Sequence, residues 1–209
     1  QVFSWSAYGL MTGLGSFAAL KIDIIMINEF IDDAATGIYV TVFNFTVLIL
    51  MPNRGLSRIA NTIVSDAFKV DDFEKVDDMY KRSCVTQTII AVFIFLGLVT
   101  NIENIFRILP EAYSAAYWVI IIIGLANVLR MFSGISENII ALSHYYRIQT
   151  VFMIVYLLSI VALNYLLIPA YGINGAAIAS TIAIFIYFFV RYIFLYTKFR
   201  FQPYDFRSL

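Results

Sequence analysis

The 209-residue sequence is short of charge: only 13% of it is Asp, Glu, Lys or Arg, against 61% hydrophobic and 17% aromatic residues. A soluble domain carries roughly 25% charged residues, so this chain has about half of what it needs to coat a globule. Its mean hydropathy of +0.84 agrees. A water-soluble enzyme, a nucleic-acid-binding domain and a disordered chain are excluded on that ground. Cysteine is nearly absent as well. Cys84 alone allows no internal disulfide, and with a single histidine, His144, no Cys/His metal cluster can form. There is no P-loop and no HExxH. The nearest approach to a nucleophile elbow, Gly134-Ile135-Ser136-Glu137-Asn138, lacks its last glycine. No catalytic constellation and no cofactor is therefore expected. The chain opens on Gln1 without a basic stretch before its first apolar run, which is not a signal peptide and reads as part of something longer.

What the sequence has instead is long uncharged runs. A membrane helix needs about 20 mostly apolar residues to cross roughly 30 Å of hydrocarbon. Stretches 1–20, 34–53, 83–102 and 112–129 carry no formal charge, and neither does 148–190. The last is too long for one span and is interrupted by Pro169-Ala170-Tyr171-Gly172, a turn signal. The expectation is an all-α, polytopic membrane protein with six transmembrane helices at about 3–27, 34–52, 83–101, 114–142, 149–169 and 175–197. β-barrel strands alternate in hydrophobicity, whereas Ile120-Ile121-Ile122-Ile123 and 184–190 are continuously apolar.

Basic residues set the orientation. The 53–82 connection holds Arg54, Arg58, Lys69, Lys75, Lys81 and Arg82; the 143–148 connection holds Arg147; the tail holds Lys198, Arg200 and Arg207. The opposite side has Arg107 against Glu29, Asp32, Asp33, Glu103 and Glu111. The basic side is expected to be cytoplasmic, with both ends of the chain there. Within 53–82, Leu56, Ile59, Ala60, Ile63, Val64 and Ala67 recur at helical spacing, and Val70, Phe73, Val76, Met79 and Tyr80 continue the pattern. This is an amphipathic segment at the interface or, failing that, a connector with a solvated face.

Charges inside spans are costly and face a bundle interior or a wet cavity. Lys21 and Asp23 are two residues apart and cannot share a helix face: one faces protein and the other snorkels, or they serve purely as an interfacial anchor. On an unbroken fourth helix of about 40 Å, Asn127, Arg130, Gly134 and Glu137 form one stripe directed at the bundle centre. Arg130 there is either a cavity-lining cation or half of a structural pair with Glu137. Arg191 is expected to snorkel to the headgroups. Arg54, after Pro52, is an inner anchor or a gate residue. Asn44 and Asn164 read as helix–helix hydrogen bonds, and Gly9 and Gly13 as close packing.

Several segments together resemble a known family. They are Asp23 near the end of the first span, the acidic turn leading to Gly37-Ile38-Tyr39, the Pro52-Asn53-Arg54 step into the amphipathic stretch, and Tyr171-Gly172-Ile173-Asn174-Gly175-Ala176-Ala177-Ile178-Ala179 opening the last span. That order resembles the polysaccharide and lipid-linked-oligosaccharide flippases of the multidrug/oligosaccharidyl-lipid/polysaccharide exporter superfamily, over about residues 3–197. The resemblance implies that residues 1–209 are the C-terminal six-helix lobe of a two-lobe exporter whose N-terminal lobe is not in this chain. It implies alternating access in a bacterial cytoplasmic (inner) membrane, moving undecaprenyl-pyrophosphate-linked oligosaccharide for surface polysaccharide such as O-antigen. Arg130, with Asn127 on its stripe, Arg54 at the inner mouth and Lys21 near the outer end, then contact substrate. Asp23 and Glu137 are counter-charges or carriers of a coupling H+ or Na+. Other partners are membrane lipids, and no nucleic acid. The alternatives are a cation-coupled multidrug antiporter, which favours an acidic cavity, a lipid II flippase, and a non-transporting assembly subunit, which requires a dry Arg130–Glu137 pair.

Overall fold

The computed structural model describes residues 21–203. Among the described residues the secondary structure is entirely helical: α1 (21–30), α2 (Asp33–Val47), a 3-10 turn (Leu48–Leu50), α3 (Met51–Lys69), α4 (Phe73–Thr100), α5 (Ile102–Ile108), a second 3-10 segment (Glu111–Ala116), α6 (Tyr117–Phe132), α7 (Ser136–Leu142) and α8 (Tyr146–Phe199). Most of the first expected span, including Trp5, Gly9 and Gly13, lies outside the described residues.

Among the described residues, four helical stretches are long and apolar enough to cross a membrane: Asp33–Lys69, Phe73–Thr100, Glu111–Phe132 and Tyr146–Phe199. The last has 54 residues, about 80 Å at 1.5 Å per residue, far more than one crossing needs. It is two helices joined at Gly172, whose φ of 59° and ψ of −139° are not helical. Contacts between the two arms step inward towards that glycine: the Phe152 and Phe194 rings at 5.6 Å, then Tyr156 and Tyr187 at 5.3 Å, then Asn164 and Ser180, which share one partner. The arms are an antiparallel hairpin. The turn demands small residues, because a Cβ on Gly175 would collide with the carbonyl of Leu167.

The expected boundaries differ from the observed ones in three places, so the count of six is not exact. The second helix does not stop at residue 52. Pro52 falls in the first turn of α3, where a missing N–H costs nothing, and the 3-10 turn carries the backbone across. The third helix begins at Phe73 rather than 83. Asp72 caps it by accepting from Lys75 N at 3.0 Å, and the Lys81–Asp77 and Arg82–Asp78 pairs, each one turn apart, support its first turns. The fourth expected helix, 114–142, is broken. α6 ends at Phe132, and Gly134 adopts φ +51°, tight against Ser83 and Cys84 of α4. The break frees the N–H of Ile135, and Ser83 Oγ accepts it at 3.2 Å, so no buried donor is stranded.

Burial identifies the solvent. Val151, Ile154, Leu158, Val161 and Tyr165 form an exposed stripe at helical spacing on the first arm of α8, and Ile182, Phe185, Phe189, Ile193 and Tyr196 form another on the second. Phe93 on α4 is 77% exposed. A surface of this kind is stable against acyl chains and not against water. The buried face of the same hairpin carries Gln149, Asn164, Ser180 and Arg191. Polar groups point inward and apolar groups outward, as in a multi-pass membrane protein.

Gly175→Ala should lower the thermal unfolding midpoint of the protein in detergent, at a cost of about 1–3 kcal/mol or more. Gly97→Ala, whose added Cβ meets nothing within 4 Å, should leave the midpoint unchanged or raise it. Equal effects would contradict the hairpin packing described above.

Candidate functional site

Two polar centres lie inside the bundle. The first is built on Asp23 of α1. Its carboxylate is buried and accepts from Asn164 Nδ2 at 2.6 Å, from Tyr39 OH at 3.2 Å and from Ser180 Oγ. It thereby ties α1 to α2 and to both arms of α8. Oδ1 of Asn164 is buried beside it without a partner. The centre is thus rich in oxygen, with a carboxylate, an amide oxygen and two hydroxyls, a set suited to a proton or a hard cation. Lys21, two residues earlier, is exposed. The two do point apart, and Lys21 joins neither centre. It is not among the residues that line the cavity described next.

The second centre is a cavity of about 440 Å³ between α2, α3, α6, α7 and the hairpin, towards the basic end. Arg54, Arg130 and Arg191 line it, against one carboxylate, Glu137. Asn53, Ser57, Asn138, Tyr156 and Tyr187 add polar groups. The helix break places Arg130 and Glu137 there from different helices: Arg130 in the last turn of α6, Glu137 in the first turn of α7. They do not pair. Arg130 forms no ion pair among the described residues. Glu137 instead meets Arg191 Nη1 at 3.3 Å, and Gln149 Nε2 also donates to it at 3.3 Å. The dry Arg130–Glu137 pair expected of an assembly subunit is absent.

Arg191 does not reach the headgroups. It is 3% exposed, donates from Nη2 to Ser133 Oγ at 2.8 Å and lies 4.4 Å over the Tyr187 ring. The sequence reading missed it because its position near the end of the last helix permits snorkelling. A signal was present: Ser180, Tyr187 and Arg191 fall at helical spacing on one face, opposite the apolar stripe through Phe185 and Phe189. Asn127, expected on the Arg130 stripe, is turned elsewhere. It is buried and donates to the carbonyl and the hydroxyl of Thr46, at 3.0 and 3.1 Å, joining α6 to α2. It does not line the cavity. Asn164 makes the interhelical bond expected of it, whereas Asn44 is exposed.

A larger hollow of about 640 Å³ lies at the basic end beneath Phe68, Phe73, Tyr145 and Phe199. Its lysines are already engaged, Lys69 with Asp66 at 2.8 Å and Lys198 over the Tyr145 ring at 5.8 Å. It does not join the polar interior.

No family model matches the chain. Among curated proteins it is similar to two from Haloferax volcanii. The probable low-salt glycan biosynthesis flippase Agl15 is 21% identical over 185 residues, covering 88% of this chain and 39% of that protein. The probable flippase AglR is 22% identical over 186 residues, with the same coverage. The chain thus spans about two-fifths of the length of these relatives. Among solved structures it superposes on an outward-facing multidrug resistance MATE family transporter of the MOP superfamily, with TM-score 0.79 and 18% identity, over 97% of this chain and 46% of that one. A MOP superfamily transporter from Pyrococcus furiosus, described as having a binding pocket of reverse polarity that suggests a different function, matches equally well. The inward-facing form of a MATE transporter gives 0.69. The chain has the fold of the MOP-superfamily transporters over about half of their length, and in sequence it resembles two probable flippases.

Proposed function

We propose that this chain is the C-terminal lobe of a flippase that carries a lipid-linked oligosaccharide across the cytoplasmic membrane. The observation that carries the reading is the 440 Å³ cavity, which brings Arg54 and Arg130 to one polar space inside an otherwise apolar bundle. The task has a matching physical requirement. A lipid tail can remain in the bilayer while the sugar and its phosphate linkage need a wet, cationic path. A guanidinium suits that linkage because it is permanently charged and its planar fork fits phosphate oxygens. Arg130 and Arg54 are the proposed phosphate contacts. A multidrug antiporter calls for an acidic cavity; three arginines against one carboxylate favour an anionic cargo.

On this reading a second lobe faces the cavity, and transport proceeds by rocking of the two lobes around it. The basic end faces the cytoplasm, by the bias of lysine and arginine. The name of one curated relative, a probable low-salt glycan biosynthesis flippase, supports a glycan cargo, and both relatives are archaeal, so the proposed cargo is a phosphate-linked sugar with no bacterial carrier implied. The proposed coupling group is Asp23, whose carboxylate and neighbouring amide and hydroxyl oxygens offer a site for H+ or Na+ at the hinge of three helices.

In a flippase-null strain carrying the full-length gene, Arg130→Ala should abolish most surface glycan at normal membrane levels of the protein, and Arg130→Lys should restore it in part. Unimpaired surface glycan with Arg130→Ala removes Arg130 as a phosphate contact. In proteoliposomes, Asp23→Asn should make transport insensitive to imposed proton and sodium gradients while downhill exchange persists. An unchanged response to both gradients contradicts the coupling role.

A further inference from the structure

The cavity holds a guanidinium for which the phosphate contacts proposed above give no use. We infer that Arg191 is a third phosphate-binding residue of the cavity and that Glu137 is its removable counter-ion, displaced when an anionic substrate enters. The inference rests on the flippase reading and extends its binding site to the far wall.

Arg191 and Glu137 are held very differently. The Arg191 side chain is 4% exposed, fixed by Ser133 Oγ and by the face of Tyr187. Its Nε is buried with no acceptor. A buried cation favours an opposite charge beside it, so the site holds either the carboxylate or an anionic ligand for most of the transport cycle. The Glu137 side chain is 55% exposed. Its contacts to Arg191 and Gln149 are both 3.3 Å, longer than the 2.7–2.9 Å of a well-made charged hydrogen bond. An exposed carboxylate on a loose contact can swing into water at little cost. A buried, stacked arginine cannot follow it.

The exchange is therefore directional. An entering phosphate takes the place of Glu137 at the Arg191 fork, and the carboxylate goes to solvent. When the phosphate leaves, Glu137 returns and neutralises the arginine. Glu137 thus competes with substrate, which weakens binding and speeds release. This has a consequence that a purely structural ion pair lacks. Removing the carboxylate's charge should tighten binding and slow turnover together.

The test uses the full-length protein in nanodiscs, titrated with farnesyl diphosphate, and the same variants in a proteoliposome flipping assay. Glu137→Gln should bind the probe roughly tenfold more tightly, as expected for removal of one close competing charge, and flip more slowly than wild type. Ser133→Ala, which frees Nη2 of Arg191 without changing any charge, should weaken binding severalfold. Thermal midpoints within a few degrees of wild type establish that each variant is folded. Binding that is unchanged or weaker in folded Glu137→Gln, or unchanged in folded Ser133→Ala, overturns the inference. Arg130→Gln in the same titration separates the two claims. If it weakens binding while Glu137→Gln does not tighten it, only the Arg191 exchange fails. If Arg130→Gln leaves binding unchanged as well, the phosphate-binding reading of the cavity fails with it.

Discussion

The structure depends on one constraint: an ionised or strongly polar side chain inside a bilayer must be paired, hydrogen-bonded or wet. This chain meets it by turning its polar residues inward. Asp23 collects three hydrogen bonds from α2 and the α8 hairpin. Asn127 joins α6 to α2 through Thr46. Arg191 is held by Ser133, Tyr187 and Glu137. The hydrophobic effect gives no drive for helix association within lipid, so bonds of this kind and close packing hold such bundles together. Arg54 and Arg130 meet it differently, since neither has an ion-pair partner among the described residues. They border a cavity, and it is this uncompensated positive charge that gives the cavity its chemistry.

The breaks in the helices serve the same end. A straight helix over 114–142 puts Arg130 and Glu137 on one stripe, about 10 Å apart along its axis. Gly134, packed against Ser83 and Cys84, interrupts the helix between them and hands Glu137 to Arg191. Ser83 takes up the amide released by the break, so the interruption leaves no buried donor unmet. Gly172 and Gly175 do the corresponding work in α8, letting one 54-residue helical run return on itself and bring Asn164 and Ser180 to the same carboxylate.

Much of this was legible in the sequence, and the reasons differ by residue. Uncharged runs of membrane length disclose spans because the bilayer tolerates little else, and the Pro169–Gly172 signal discloses the hairpin. That Lys21 and Asp23 point apart follows from helical spacing alone; that Asp23 is the inward one is decided by Tyr39, Asn164 and Ser180 around it. Three things were hidden. The break at Gly134 depends on how closely α4 approaches, which is a tertiary matter. The burial of Arg191 was obscured because a cation near a helix end has two affordable positions, one at the headgroups and one inside. Asn127 was assigned to the cavity because the unbroken helix put it on the same stripe as Arg130; its real partner, Thr46, is 81 residues away in sequence. Spacing within a helix predicts a face, and only the packing of neighbours decides what that face meets.

The central claim is that residue 130 borders water rather than lipid or sealed protein. Cys84 is fully buried, so a Cys84→Ser background with other cysteines of the full-length protein removed gives a clean test by charged-thiol-reagent labelling in native membranes. Arg130→Cys should react with a membrane-impermeant, negatively charged methanethiosulfonate added from one side, as the remaining arginines of the cavity favour an anion, while Leu158→Cys on the apolar stripe should react only with a lipid-soluble maleimide. If position 130 resists the charged reagent from both sides and behaves like position 158, the guanidinium of Arg130 has no wet path and the account is wrong.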